Sequence, residues 1–458
     1  MTTTPPWTEA DVRTALGLTE KHLLAARSPL LTFSEISTDT RSLRPGALFV
    51  ALKGERFDGH DHLAAAAAAG AGAALVRRGT APIAGLALLE VDDTLRAYGD
   101  LARARRRRLA GPVVAVTGSN GKTSTKEMLA AVLRTRWRTH ATRANNNNLV
   151  GVPLTILEAP ADVEALVVEA GANAPGEIPR YREIVEPSVA VVTNVGEGHL
   201  EGFGSLGGVM SEKLALVRDV PLAVVGTTPP ELARRARSLA RRVRVAGLDG
   251  AERTPERLTT DERGRPTVEV AGRRFTIPYP GRHLAANAML AWTVAEELGL
   301  DLDACAAALG GLVFPGGRSE LVQQGRLTIL NDCYNANPQS FLAAIATAAE
   351  LRRGRRLVFV AGTMRELGRE APQLHARVAE ALVALGPDLL AAVGDFVPAL
   401  APYAATLGDR LVTAPDAAAI ATPVAQRLRG DELVVLKASR GVALERILPE
   451  LLARAHRP

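Results

Sequence analysis

The sequence predicts a three-domain α/β protein: a smaller N-terminal α/β domain, a central domain on a mainly parallel sheet with a phosphate-loop (P-loop-type) motif, and a C-terminal Rossmann-like domain. Three observations carry this. The chain has 458 residues, about three times a typical domain, so several cores are expected. From residue 113 onwards, strand-length apolar runs alternate with helix-length stretches, the pattern of a parallel sheet covered on both faces. One of those runs enters a helix through the glycine loop Gly118-Ser-Asn-Gly121. The composition, 47% hydrophobic and 23% charged, is ordinary for a globular chain and excludes disordered, collagen-like and coiled-coil classes.

The first segment, residues 1–110, holds the apolar run Ala47–Leu52, an alanine-rich helix from His62, and strand-like pieces at Ala73–Val76 and Leu86–Val91. Gly111-Pro112 then punctuates the chain. The second segment, 111–316, opens on the strand Val113–Thr117 and a helix from Lys122 to Arg134. Strands follow at Ala165–Glu169, Val189–Thr193 and Leu222–Val225. Thr267–Ile277 reads as a hairpin turning at Ala271-Gly272, and a helix follows from His283 to Leu298. The third segment, 317–458, has strands at Leu327–Leu330, Leu357–Val360, Leu390–Val393 and Leu433–Leu436 with helices between them. That is a second open sheet of the nucleotide-binding type.

The net charge is +6, and of the 55 basic residues only six are lysines. Where arginine fills most basic positions, a retained lysine points to lysine chemistry. The densest basic run, Arg103–Arg108, reads as the solvated face of a helix near a domain boundary. It has no interleaved aromatics, so no nucleic-acid partner is expected. The longest apolar stretch, Leu63–Val76, is too short and too weakly apolar for membrane insertion. No secretory signal is visible, and the two cysteines, Cys305 and Cys333, form no metal-type pair. A cytoplasmic location fits.

The strongest chemical signal is Thr117-Gly-Ser-Asn-Gly-Lys-Thr123 between a strand and a helix. Gly118 and Gly121 let the backbone turn tightly, and the N–H groups of a helix start cradle phosphate. Lys122 would supply charge to the outer phosphates and the Thr123 hydroxyl could hold Mg²⁺. Val116 stands where the longer phosphate-loop pattern has its first glycine; a plain glycine cap is the alternative reading. Four adjacent asparagines, Asn145–Asn148, predict a loop rich in donors and acceptors. Glu169 ends one strand and His199 follows another, at the carboxyl ends where polar residues line the mouth of a parallel sheet. A carboxylate suits Mg²⁺; a lone histidine is more often structural.

These residues resemble the Mur ligase superfamily, ATP-dependent amide ligases of peptidoglycan precursor synthesis, over nearly the whole chain. The blocks are Ser37-Thr-Asp-Thr-Arg41 with Lys53-Gly54, the Gly118–Ser124 loop, Asn145–Pro153, Glu169–Asn173, Thr193–Gly202, Lys213, Gly281–Asn287, Pro315–Glu320, Asn331–Pro338, Ala361–Gly368 and Leu436–Arg440. The string Tyr334-Asn-Ala-Asn-Pro338 is most similar to the MurF branch, which joins D-alanyl-D-alanine to a UDP-N-acetylmuramoyl-tripeptide. The resemblance implies ATP and Mg²⁺ as cofactors and those two compounds as partners; a monomer is expected. It places Thr40, Arg41 and Lys53 near uridine and pyrophosphate, and Asn147 and Asn148 on the nucleotide-sugar side. Gly118, Ser119, Asn120, Gly121, Lys122, Thr123, Ser124, Asn287, Arg318 and Asp332 would bind ATP. Thr123, Glu169, His199 and Lys213 would bind metal, with Lys213 as a carbamate. Lys122, Lys213 and Arg318 would be catalytic; Tyr334, Asn335 and Asn337 would line the cleft for the incoming amine. Leu284, Thr363 and Ala438 depart from the family's Asn, Asp and Gly, and Leu214-Ala215 replaces a Gly-Glu. Another Mur ligase, folylpolyglutamate synthase or a non-catalytic ATP-binding regulator are the competing readings.

Overall fold

A computed structural model describes residues 7–18, 23–24 and 32–454 of the chain. The first six residues and Lys21 lie outside that range. The chain divides into two compact units. The first comprises Met1–Ala115, Arg136–Ala172 and Gly176–Val189; the second comprises Val116–Thr135, Asn173–Pro175 and Ala190–Pro458.

The N-terminal part carries β1 (Leu23–Leu24), β2 (Ile36–Ser37), β3 (Leu48–Val50), α1 (Leu63–Ala68), β4 (Ala73–Arg77) and β5 (Ala87–Val91). They form a sheet of order β1-β5-β4-β3-β2, parallel except for β1 against β5. The expected apolar runs become its strands because Leu48, Phe49, Val50, Ala74 and Leu75 are buried. The alanine-rich helix begins at Leu63; Gly59–His62 before it is a 3₁₀ turn capped by Asp58.

A long helix, α2 (Thr94–Arg107), starts at an Asp93 cap. The arginine run is only in part a solvated face: Arg107 and Arg108 are exposed, whereas Arg103 and Arg106 are half-buried. Arg105 is 2% exposed and donates to the carbonyls of Ala159 and Pro160 at 3.1 Å each. Arg106 donates to the carbonyls of Val185 and Glu186, while Arg103 and Arg107 pair with the Glu186 carboxylate. Arg108 pairs with Asp11 and lies 4.6 Å over the Trp7 ring. A planar guanidinium with five donors suits such multiple carbonyl capture.

Next come β6 (Val113–Thr117), α3 (Lys122–Leu133), β7 (Thr139–Ala141), α4 (Gly151–Leu157), β8 (Ala165–Glu169), α5 (Glu177–Val185), β9 (Val189–Val192), α6 (Leu206–Leu214), β10 (Leu222–Val225) and β11 (Val243–Val245). The sheet order is β11-β10-β9-β6-β8-β7, and the pairs β7–β8 and β10–β11 are parallel. Every residue of β6, β8, β9 and β10 is buried, which is why these strands read as unbroken apolar runs. The expected hairpin is β13 (Pro266–Val270) with β14 (Arg273–Thr276), joined by β12 (Arg257–Thr260) into an antiparallel three-stranded sheet. Helix α7 (Arg282–Glu297) follows.

The C-terminal sheet contains β15 (Glu320–Gln324), β16 (Leu327–Asp332), β17 (Leu357–Ala361), β18 (Leu389–Val393), β19 (Leu411–Ala414) and β20 (Leu433–Lys437). Between β16 and β17 runs α8 (Pro338–Arg352), and between β17 and β18 runs α9 (Ala371–Leu385). The order is β15-β16-β20-β17-β18-β19, parallel except for the edge pair β15–β16. Ile329, Val358, Val360, Ala391 and Val434 fill its core at 0% exposure each. Among the described residues, no helix is long and apolar enough to cross a membrane. Cys305 and Cys333 are free thiols, both buried.

Candidate functional site

The glycine loop sits at the carboxyl end of β6, in the second unit. A Cβ on Gly118 would lie 1.9 Å from Thr193 Oγ1, and one on Gly121 would lie 2.6 Å from Asn287 Oδ1. Gly121 has φ +75° and caps α3 without a side-chain hydrogen bond. So both glycines are required by close approach, and the helix start carries the positive end of its dipole. Ser119 and Gly196 exchange hydrogen bonds of 3.0 and 2.9 Å through the serine hydroxyl. Lys122 Nζ folds back onto the Gly118 and Ser119 carbonyls at 2.8 and 3.3 Å. Thr123 and Ser124 are 3% and 7% exposed. The cradle and its lysine fit a nucleotide's phosphates.

Asp332 ends β16 in the same unit. Its Oδ1 accepts from the Ser319 N–H at 3.1 Å and its Oδ2 accepts from Lys437 Nζ at 2.6 Å. Burial raises the carboxyl's pKa, but the Lys437 ammonium and the Ser319 N–H outweigh it and hold the group below its ordinary value. Lys437 is 2% exposed and also donates to the carbonyls of Asp332 and Asn335. A compact ammonium with three donors suits three converging oxygens. The motif containing Lys437 drew attention for its alanine, and the lysine itself was passed over. Arg318 lies face-on to Tyr334, 3.6 Å from its ring centroid, and Arg440 is 5.9 Å from the same ring. Asn335 is exposed with its Oδ1 accepting from Ala336 N, whereas Asn337 is 4% exposed and caps α8.

His199 has φ +58° and its Nδ1 lies 2.5 Å from Glu366 Oε2. The bond to His199, above all, lowers the Glu366 pKa against the opposing effect of burial. Lys213 on α6 is 0% exposed, with its Nζ 5.6 Å from the Phe203 ring centroid. A groove of about 1190 Å³ runs past Glu366 and is lined by Leu200, Thr363, Arg365, Arg369 and Asp395 among others.

The first unit holds the remaining expected residues. Glu169 is 2% exposed at the end of β8 and accepts from Asn147 Nδ2 at 2.8 Å. Asn148 Oδ1 accepts from the N–H groups of Val150 and Gly151, so its carbonyl serves the start of α4. Arg41 makes a forked pair with Asp39, whose pKa that bond lowers to about 2. Lys53 pairs with Asp58 at 3.2 Å; Asp58 also accepts from the His60 backbone N–H, the largest cause of its pKa near 2. Thr40 is half-buried beside Arg41, which is exposed like Lys53. Among the described residues no three His, Cys, Asp or Glu gather into a metal cluster. The oxygens of Thr123 and Glu169 are hard donors of the kind Mg²⁺ takes, and Mg²⁺ keeps waters and substrate oxygens for the rest.

The family departures have local explanations. Leu284 is 2% exposed and belongs to the core. The Ala438 methyl is accommodated because residue 362 is glycine, whose Cβ would come 2.8 Å from it. Thr363 Oγ1 accepts from the Asp395 N–H at 2.9 Å. His375, 1% exposed, fixes this loop: Nε2 accepts from the Met364 N–H at 2.9 Å, and the ring faces the Ala371 carbonyl through Nδ1 at 2.7 Å. Only the neutral ring can accept from Met364, and burial pushes the His375 pKa below its ordinary value. The unfolded chain therefore takes up this proton near pH 6.5 while the folded chain resists it. This contribution to stability is complete above about pH 6.5 and lost as pH falls through the lower, folded value. His375→Ala should cost about 1–3 kcal/mol by orphaning the Met364 N–H. Urea midpoints measured from about pH 8 down to pH 5 should fall more steeply for the natural chain than for His375→Gln. Parallel curves would rule the histidine out as the source.

Three consecutive segments match known families. Residues 32–106 match "Mur ligase family, catalytic domain", 116–295 match "Mur ligase middle domain", and 317–440 match "Mur ligase, glutamate ligase domain". The UDP-N-acetylmuramoyl-tripeptide–D-alanyl-D-alanine ligase of Bacillus subtilis is 35% identical over 431 residues, covering 91% of this chain and 93% of the relative. The crystal structure of MurF from Acinetobacter baumannii matches with a TM-score of 0.88 at 30% identity, over 98% of this chain and 100% of that one. MurF ligase from Thermotoga maritima, solved in complex with ADP, matches with a TM-score of 0.80 at 29% identity, over 92% and 97%. Family matches in all three segments, with relatives this similar over nearly their whole length, establish that the chain belongs to the Mur ligase family.

Proposed function

We propose that this chain is an ATP-dependent amide ligase that joins D-alanyl-D-alanine to the terminal carboxylate of a UDP-N-acetylmuramoyl-tripeptide. The observation that carries the reading is the Gly118–Ser124 cradle with Lys122 folded over it, in a chain whose relatives bear that name. A carboxylate oxygen attacks the γ-phosphorus of ATP, the β–γ bridging bond breaks, and ADP leaves with that electron pair. The dipeptide's amine then attacks the carbonyl carbon of the acyl phosphate. The tetrahedral species expels inorganic phosphate and the amine loses a proton. No protein nucleophile is needed, so the protein's work is alignment and charge neutralisation.

In this reading Lys122 and Arg318, the latter stacked on Tyr334, would neutralise the transferred phosphoryl group. Asp332 and Asn287 take the nucleoside. Thr123, Glu169, His199 and Lys213 would hold Mg²⁺, which when bound would offset phosphate charge. Thr40, Arg41, Lys53, Asn147 and Asn148 receive the UDP precursor; Tyr334 and Asn335 guide the amine, with Asn337 behind them. The domains run 1–110, 111–316 and 317–458. The enzyme works as a cytoplasmic monomer. Tripeptide labelled with ¹⁸O in its terminal carboxylate tests the route. One label should appear in each released phosphate; unlabelled phosphate together with joined product would exclude the acyl phosphate.

A further inference from the structure

Asn120, at the tip of the phosphate loop, has its side-chain amide held at both ends by the first turn of α8. Asn337 Oδ1 accepts from the Ser340 N–H at 2.9 Å, which leaves Asn337 Nδ2 to donate to Asn120 Oδ1 at 2.8 Å. That fixes the Asn120 amide the other way up, and its Nδ2 donates to Gln339 Oε1 at 2.8 Å. The Asn120 backbone is equally committed. Its N–H donates to Asn194 Oδ1 at 3.0 Å, and its carbonyl accepts from Thr193 Oγ1 at 2.5 Å and Asn194 Nδ2 at 3.1 Å. Gly196 leaves the space for this arrangement, because a Cβ there would lie 2.5 Å from Gln339 Oε1. The Asn120 N–H and side-chain amide are therefore both taken inside the protein, and Asn120 is a fastening of the loop rather than one of its phosphate donors.

We infer that Gln339 is a positioning residue for phosphoryl transfer. Through Asn120 it fastens the phosphate loop to the stretch carrying Asp332 and Tyr334, so that the loop holding the phosphates and the stretch lining the amine's approach keep one register. Gln339 itself touches neither nucleotide nor amine. The two bonds of the clasp join residues 219 and 217 positions apart. Small misalignment at a distance is costly to rate because reacting atoms must stay within a near-attack geometry.

The inference rests on reading Gly118–Ser124 as the nucleotide loop; ADP binding to the unaltered enzyme tests that reading separately. For Gln339→Ala, kcat for ligation should fall about 3- to 10-fold, the rate equivalent of one neutral hydrogen bond. The Kd for ADP and the Tm should stay unchanged. Gln339→Met keeps the length without the acceptor, and it should behave like the alanine variant. The double variant Asn120→Ala/Gln339→Ala should be no slower than the slower single, because both singles break one shared bond. Three results would each overturn the inference: ADP affinity or Tm falling in step with kcat, full activity in Gln339→Met, or losses that multiply in the double variant.

Discussion

Lys122→Ala should lower ligation by about 10²–10³-fold, the scale seen when one preorganised donor to a developing charge is removed. The Tm should hardly move. Lys122 is half-buried and its ammonium rests on two carbonyls of its own loop, Gly118 and Ser119. These contacts place the charge over the cradle without tying it into the core. Removing it leaves the two carbonyls beside the site mouth, where water can replace the ammonium. The loss should fall mainly on kcat, because the charge to be offset grows as the phosphoryl group moves. Initial rates at saturating ATP, with Tm measured on the same samples, check this. A variant within about threefold of the natural rate would remove Lys122 from phosphoryl transfer.

If Lys213 holds metal as proposed, Lys213→Ala should lose about 100-fold or more of the activity, at least the upper end of what loss of a ligand's outer-shell partner costs. Lys213→Arg should be just as inactive. The Lys213 side chain is 0% exposed and its Nζ faces the Phe203 ring at 5.6 Å. An ammonium over an aromatic face is attractive, and arginine would preserve it. In the proposed role the neutral amine's lone pair attacks the carbon of CO₂, a proton passes to water, and a carbamate anion results. That anion binds Mg²⁺ where a cation would repel it. Arginine cannot follow, because its guanidinium stays protonated. Acetate or formate should restore part of the activity of Lys213→Ala by occupying the vacated position. Full activity in Lys213→Arg would identify an ordinary cation and end the carbamate assignment.

Of the five lysines among the described residues, Lys126, Lys213 and Lys437 are 1%, 0% and 2% exposed, while Lys122 is half-buried and Lys53 exposed, so in this arginine-dominated chain lysine marks mainly, not only, deeply placed amines. The buried strands were legible because both faces are covered and the runs are unbroken, as in Val189–Val192. The edge strand Glu320–Gln324 was not, because it is polar and mostly half-exposed, with no alternation to detect. The buried members of the Arg103–Arg108 run were hidden for a different reason. Its acceptors at Ala159, Val185 and Glu186 come some 50–80 residues later, and nothing local distinguishes a captured guanidinium from a solvated one. Gln339 gave no signal at all, since its role exists only through Asn120. The glycine loop, by contrast, announces itself because its chemistry is local: two glycines forced by close approach, then Lys122 and Thr123 at a helix start.

Whether this chain makes an amide bond at the expense of ATP is read from the mass of the UDP-linked product and the phosphate released when ATP, Mg²⁺, UDP-N-acetylmuramoyl-tripeptide and D-alanyl-D-alanine are supplied together, with each omitted in turn. A ligase yields a product of the joined mass less one water, with phosphate released in equal amount and only in the complete mixture. ATP hydrolysis that proceeds at full rate without either peptide substrate, and yields no joined product, would contradict it.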